Sequence, residues 1–276
     1  MRSSPKNLLN ELDSKEWVRK TKSWFIINPK PRSDKQLNHP AKFPEELVKH
    51  LLSFFTKSGD WVLDPFAGVG STLIACNEMS RNGVGIELNP EFVRIGEQFL
   101  SSQSSNTESC LMQGDSHDLL ALLKTRFNKT IPKFDFLITS PPYWDMLRKS
   151  RGGNDSVQKE RKRKGLKQFY SDLENDIGNI SDYGEYLETL ASILARLRIV
   201  LKDDAYLTIV VQNMRDTNGV MRPIAWDLGR RLSQDYSLRQ EMIWCQDNKK
   251  LGCWGYPTTY VSNVHHHYCL IFQNSR

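Results

Sequence analysis

The chain reads as an α/β protein built on a mostly parallel sheet with helices on both faces. Three observations predict this. Short apolar runs of strand length alternate with longer runs of helical periodicity from residue 45 onward, the pattern of strands joined by helical crossovers. A glycine-bearing turn, "DPFAGVGST", Asp64 to Thr72, joins the first such strand to the next helix. The last two apolar runs are separated by a loop alone, which permits antiparallel neighbours at the closing edge.

In order, "EELVKHLLSFF" (45–55) has the i, i+3, i+4 spacing of an amphipathic helix and "DWVLDPF" (60–66) is a short buried strand. "GSTLIACNEM" (70–79) is a helix, "NGVGIEL" (82–88) a second strand, and "PEFVRIGEQFL" (90–100) a helix that opens on proline, whose fixed φ suits a first turn. A strand near "SCLMQGD", a helix near "SHDLLALLKTR" and the strand "FDFLITS" follow. Residues 183–201 form a long helix, 205–211 a strand, and "IAWDLGRRLSQD" a helix. "LRQEMIW" and "HHHYCLIF" close the sheet, giving seven strands with an antiparallel closing strand. No internal repeat is visible, and residues 1–276 read as one domain.

Composition narrows the function classes. The formal charge is +6, and "KERKRKGLK" (159–167) concentrates six Lys and Arg against one Glu. Such a block is either a solvated loop or a phosphate contact. The five cysteines, Cys76, Cys110, Cys245, Cys253 and Cys269, form an odd, irregularly spaced set, as expected of reduced thiols in a cytosolic protein. Cys245, Cys253, His265, His266, His267 and Cys269 fail the spacing of structural zinc ligands, and no metal is expected. No stretch approaches the roughly 18 apolar residues of a membrane span, so a soluble, intracellular protein is expected.

Ligands of open parallel sheets bind outside the carboxyl ends of the strands, so the residues after each strand carry the functional reading. Gly68 and Gly70 allow close backbone approach and a sharp entry into the helix. Glu87, ending the next strand, is placed to accept hydrogen bonds from both ribose hydroxyls of an adenosine-containing ligand, or else is a surface carboxylate. Asp115, after the third strand, either accepts from an adenine amino group or caps the following helix. After the fourth strand comes "TSPPYW", Thr139 to Trp144.

With these pieces assembled, the chain resembles the S-adenosylmethionine-dependent DNA amino-methyltransferases, the N4-cytosine and N6-adenine family. "DPFAGVGST" matches its cofactor loop, "TSPPYW" its catalytic motif, and "HPAKFPEELVKHLL" (39–52) the segment set against the methionine end of the cofactor. The resemblance implies a Rossmann-like methyltransferase fold and S-adenosyl-L-methionine as cofactor. It assigns catalysis to Ser140, Pro141, Pro142 and Tyr143. Cofactor binding falls to His39, Pro40, Phe43, Asp64, Pro65, Phe66, Ala67, Gly68, Gly70, Ser71, Thr72, Glu87, Leu88, Asp115 and Ser116. A serine heading the tetrapeptide is typical of cytosine-N4 enzymes, whereas adenine-N6 enzymes more often carry aspartate. The order of segments resembles the gamma type, although "DPFAG" beside "SPPY" is more often met in the beta type.

The chemistry suits these residues. An exocyclic amine is a poor nucleophile, and two acceptors, the Ser140 hydroxyl and the Pro141 carbonyl, would orient its lone pair toward the methyl donor. The base must leave the duplex, and Tyr143 is the expected stacking platform. Trp144 either assists or packs against the sheet, and Trp244 lies either near the flipped base or in the core. Target recognition is expected from residues 145–182, a small insertion, and from 212–222 and 245–257, with Arg148, Lys162 and Arg163 as substrate contacts. The expected partner is double-stranded DNA with a flipped base in a prokaryotic cytoplasm, next to the nucleoid, with a cognate restriction endonuclease as companion. A monomer or homodimer is expected, with no membrane.

Overall fold

The computed structural model describes residues 7–29, 43–104, 106–128, 130–144, 173, 175–216, 219–253 and 255–275. The chain enters through α1 (Ser14–Lys20), whose first turn is closed by a reciprocal capping box between Asp13 and Glu16, and β1 (Trp24–Ile26). The repeating body follows: α2 (Glu45–Phe55), β2 (Trp61–Asp64), α3 (Ser71–Glu78), β3 (Asn82–Glu87), α4 (Pro90–Ser101), β4 (Ser109–Gln113), α5 (Leu119–Arg126) and β5 (Phe134–Thr139). Then come α6 (Tyr183–Arg196), β6 (Leu201–Val211), a two-stranded ribbon of β7 (Met214–Arg215) and β8 (Met221–Arg222), α7 (Ile224–Leu232), β9 (Ser237–Cys245) and β10 (His266–Gln273).

Eight strands form one sheet in the order β1-β9-β10-β6-β5-β2-β3-β4. All pairings from β6 through β4 are parallel, and β10 runs antiparallel between β6 and β9. The seven expected strands are all present. The eighth, β1, adds in parallel to the edge of β9; its three residues are too few to show a period of two. The helix expected over 183–201 ends as α-helix at Arg196, because residues 197–199 tighten into a 3-10 turn and Leu201 already pairs with Phe134.

Both faces of the sheet are covered. Leu47, Val48, Leu51, Leu52 and Phe55 of α2 bury their apolar stripe against Val62, Phe136, Ile138 and Val210. Each such side chain contributes about 1.5–3 kcal/mol on burial. On the other face Leu119 and Leu123 of α5, Tyr186 and Leu190 of α6 and Leu228 of α7 pack on Leu63, Leu137, Leu207 and Leu270. The central strand β5 sends Phe136 and Ile138 to one core and Leu137 to the other, which is why "FDFLIT" reads as a continuous apolar run.

The order places the crevice. From β2 the connections run outward to β3 and β4, then return across β2 to β5 and β6, so the switch of direction falls between β2 and β5. Helix α4 is held tight against this point by Gly96: a Cβ there would stand 2.4 Å from Leu111 Cδ2 and 3.1 Å from the Val69 carbonyl. Replacing Gly96 by alanine therefore pushes α4 away from the 65–70 loop; we expect a loss of about 1–3 kcal/mol in urea unfolding, the usual cost of overpacking.

Candidate active site

The site begins with a buried carboxylate. Asp64, the last residue of β2, is 2% exposed and receives three hydrogen bonds. Oδ1 accepts from the Phe66 N–H at 3.0 Å and from Thr139 Oγ1 at 2.6 Å, and Oδ2 accepts from Thr72 Oγ1 at 2.5 Å. Burial pushes its pKa up to about 6, against the lowering effect of these donors. One side chain thus joins the end of β2, the loop after it, the first turn of α3 and the last residue of β5.

The loop itself is strapped down by backbone. Ala67 N–H donates to Ile86 O at 2.8 Å and Gly70 N–H to Ala67 O at 2.9 Å. Gly68 (φ 55°) and Gly70 (φ 80°) adopt left-handed conformations that L side chains resist, and Gly70 is the N-cap of α3. Glu87, closing β3, accepts from Gly68 N–H at 2.9 Å on Oε2 and from Asn89 N–H at 2.7 Å on Oε1. Loss of solvent pushes its carboxyl up to about 7, with the nearby Asp176 charge adding to the rise. Leu88 beside it is half-buried.

Asp115 caps the turn that follows it. Its Oδ1 accepts from His117 N–H at 2.8 Å and lies 2.8 Å from His117 Nδ1, at the start of the 3-10 turn Ser116–Asp118. Ser116 Oγ donates to Pro65 O, tying the third strand end to the loop. Gly114 N–H donates to Glu87 O at 3.0 Å, so three successive strand ends are linked.

Next to Asp64, across the switch point, stands the proline motif. Thr139 ends β5, Ser140 is half-buried, and Ser140 Oγ lies 3.4 Å from Tyr143 Oη. The two proline carbonyls differ. Tyr186 Oη in α6 donates to Pro142 O at 2.9 Å, whereas no donor among the described residues reaches Pro141 O. Tyr143 is 7% exposed and burial pushes its hydroxyl up to about 12. The ring is buried, with its hydroxyl on the side of Ser140 Oγ. Trp144 is also 7% exposed; Nε1 donates to Ser181 O at 3.3 Å and the ring meets Tyr183 edge-on at 5.2 Å.

Trp244 is likewise a core residue, 4% exposed, with Nε1 donating to Ile27 O at 2.8 Å and its ring stacked on His267. Phe43 packs partly buried at the start of α2. Asp64, Pro65, Phe66, Ala67, Gly68, Gly70, Ser71, Thr72, Glu87, Asp115 and Ser116 therefore share the same edge as Ser140 to Tyr143. His39, Pro40, Arg148, Lys162 and Arg163 lie outside the described residues, as do 145–172 and 174 of the segment 145–182. Within 212–222 the chain forms the β7–β8 ribbon, and Arg222 is committed to Asp216 at 2.8 Å with its guanidinium near the Trp144 ring.

Thr139 and Tyr186, which hold the Asp64 carboxylate and the Pro142 carbonyl, were passed over by sequence reasoning. A hydroxyl ending an otherwise apolar strand was the available sign of Thr139; nothing in the periodicity of α6 tells Tyr186 from its apolar neighbours. Thr139→Val removes a hydrogen bond to a buried carboxylate and is expected to cost about 1.5–3 kcal/mol at pH 8. The loss should shrink at pH 5, where Asp64, ionising at about 6, is protonated in the folded protein. Chemical denaturation at the two pH values, with Thr139→Ser as the restoring variant, checks this.

A DNA methylase family model, that of the N6 and N4 enzymes, matches residues 3–98 and 134–276. Type II methyltransferase M.XycI from Xanthomonas campestris pv. cyanopsidis is 39% identical over 89 residues, 32% of this chain and 29% of that protein. M.Cfr9I from Citrobacter freundii is 40% identical over 88 residues, 32% and 28% of the two chains. M.BglI from Bacillus subtilis is 32% identical over 114 residues, 40% and 32%. The matched stretch spans about a third or less of each of these relatives. With the cofactor-loop strand and the proline-motif strand both inside the matched residues, the chain belongs to the N6/N4 DNA methylase family.

Proposed function

We propose that the protein is an S-adenosylmethionine-dependent DNA methyltransferase that methylates an exocyclic amino group, cytosine N4, within a short duplex sequence. The carrying observation is the contrast between the two carbonyls of the proline pair: Pro142 O accepts from Tyr186, whereas Pro141 O, one residue after Ser140, has no donor among the described residues. An amino group has two hydrogens to place. Ser140 Oγ and Pro141 O are two acceptors on adjacent residues at the crevice, and the fused prolines hold them still. Serine at the head of the motif supports cytosine over adenine, by its resemblance to cytosine-N4 enzymes.

S-Adenosylmethionine, when bound, supplies a methyl group activated by its sulfonium. The residues of the edge suit it: Gly68 and Gly70 leave the backbone open, Glu87 offers a carboxylate to ribose hydroxyls, and Ser116 and Asp115 border the adenine side. Ser140 and Pro141 orient the amine, and no general base is required because a methylated amine sheds its proton readily. Tyr143 borders the amine and takes up stacking with the extruded base once its ring is released from Ser140. Extrusion costs a few kcal/mol, which stacking of about 1–3 kcal/mol helps offset. The setting is a prokaryotic or phage genome, with the protein in the cytoplasm and a restriction endonuclease as companion. Among the described residues no helix is long and apolar enough to cross a membrane.

Mass spectrometry of nucleosides from DNA treated with the protein and cofactor should show N4-methylcytosine; N6-methyladenine instead would transfer the reading to the adenine branch, and unmodified DNA would overturn it. Ser140→Ala should lower kcat by about tenfold or more with cofactor affinity unchanged, the signature of an interaction realised in the transition state. Ribose hydroxyls that donate to Glu87 favour its ionised form, so binding lowers the carboxyl from about 7 and releases a proton. Cofactor affinity should therefore fall as pH drops below about 7 and level off above it. Calorimetry from pH 5.5 to 8.5 tests this, with Glu87→Gln flattening the profile.

A further inference from the structure

His267 is the second residue of β10 and faces Trp244 across the ladder with β9. Because β10 runs antiparallel to β6, its first residues stand at the carboxyl edge, where the proline motif lies. The His267 ring is stacked on Trp244 with centroids 4.5 Å apart and planes 26° apart, and Tyr143 stands 6.5 Å away. Trp244 is itself anchored by its indole N–H on Ile27 O. The imidazole plane is thus fixed from below.

Its Nδ1 is buried and has no hydrogen-bond partner among the described residues. Buried polar atoms are nearly always satisfied, and exceptions at functional sites are commonly completed by a ligand. Thr208 Oγ1 shares this condition, but Thr208 lies mid-sheet, opposite Ile138, and reaches no edge. Burial, with the positive charges of Lys249 and His266, pushes the His267 imidazole down to about 3, so the ring is neutral at working pH. A neutral ring nitrogen is matched to a neutral heterocycle better than to a phosphate, which calls for a cation.

We propose that His267 is a further substrate-contacting residue: its Nδ1 hydrogen-bonds a ring nitrogen or carbonyl on the edge of the target base whose amino group is held by Ser140 and Pro141. The inference rests on the proposed DNA-methylating function and adds a second point of contact to it. A second contact fixes the base in its own plane, which a clamp on the amine alone does not do; the Tyr143 ring lies 6.5 Å from His267 and its hydroxyl 3.4 Å from Ser140 Oγ.

The test uses the full chain, tritiated S-adenosylmethionine and unmethylated genomic DNA. His267→Phe keeps a ring to stack on Trp244 and removes Nδ1; His267→Asn keeps a polar atom near the Nδ1 position. We expect His267→Phe to lower kcat/KM for DNA by about tenfold or more, with the KM for cofactor and the melting temperature unchanged, and His267→Asn to recover part of the loss. A His267→Phe enzyme within about twofold of the parent overturns the inference, by the same reading of kcat/KM as transition-state contact. Equal losses in both variants with a lowered melting temperature also overturn it, since they assign the ring a packing role, and a raised cofactor KM assigns Nδ1 to the cofactor instead. A parent protein that leaves DNA unlabelled overturns the functional reading itself, whatever the variants do.

Discussion

The arrangement of this protein depends on the hydrogen bonds of one buried carboxylate. Asp64 ends the strand from which the connections run both ways, and its three donors come from the loop, the helix after it and the neighbouring strand. Removing a carboxylate from water costs several kcal/mol, which only such a full set of donors makes tolerable. The requirement runs in the other direction too. Because Asp64 must be satisfied, Thr72 and Thr139 must stand within reach, and the glycine loop and the proline motif are thereby brought to a fixed separation.

The other strand ends repeat the same device in a weaker form. Glu87 gathers the Gly68 and Asn89 N–H groups, Ser116 reaches back to Pro65, and Gly114 bonds to Glu87 O. All but the local Asn89 bond run between strand ends rather than within one, so the crevice behaves as a unit. Glycines at 85 and 96 let Ala67 and Val69 be pressed between β3 and α4, where a side chain on either would collide. The result is a binding edge whose shape is set before any ligand arrives, which lowers the ordering cost of binding.

Much of this was legible in the sequence. The alternation of apolar runs located every central strand, since strands buried on both faces must be apolar throughout, as Phe136, Leu137 and Ile138 illustrate. "DPFAGVGST" and "TSPPYW" were legible because chemistry and turn geometry both restrict those positions to few residue types. What escaped were elements too short for a period, such as β1, and roles that depend on distant partners. Tyr186 is one apolar-face residue among several in its helix until the fold brings Pro142 to its hydroxyl, and the partners of Trp244, Ile27 and His267, come from distant parts of the chain. The burial of Tyr143 beside Ser140 was likewise not legible in the motif itself.

The Pro142 to Tyr186 bond and the Trp144 to Ser181 bond together clasp the two ends of the stretch that runs between them. A span fastened at both ends can change in length with little penalty to the rest, since doubling a loop adds only about 0.6 kcal/mol of closure entropy. Pro142 and Trp144 are thereby tied to the start of α6 whatever the length of the residues between, and under the function proposed above a change of target sequence would leave the proline motif in its place.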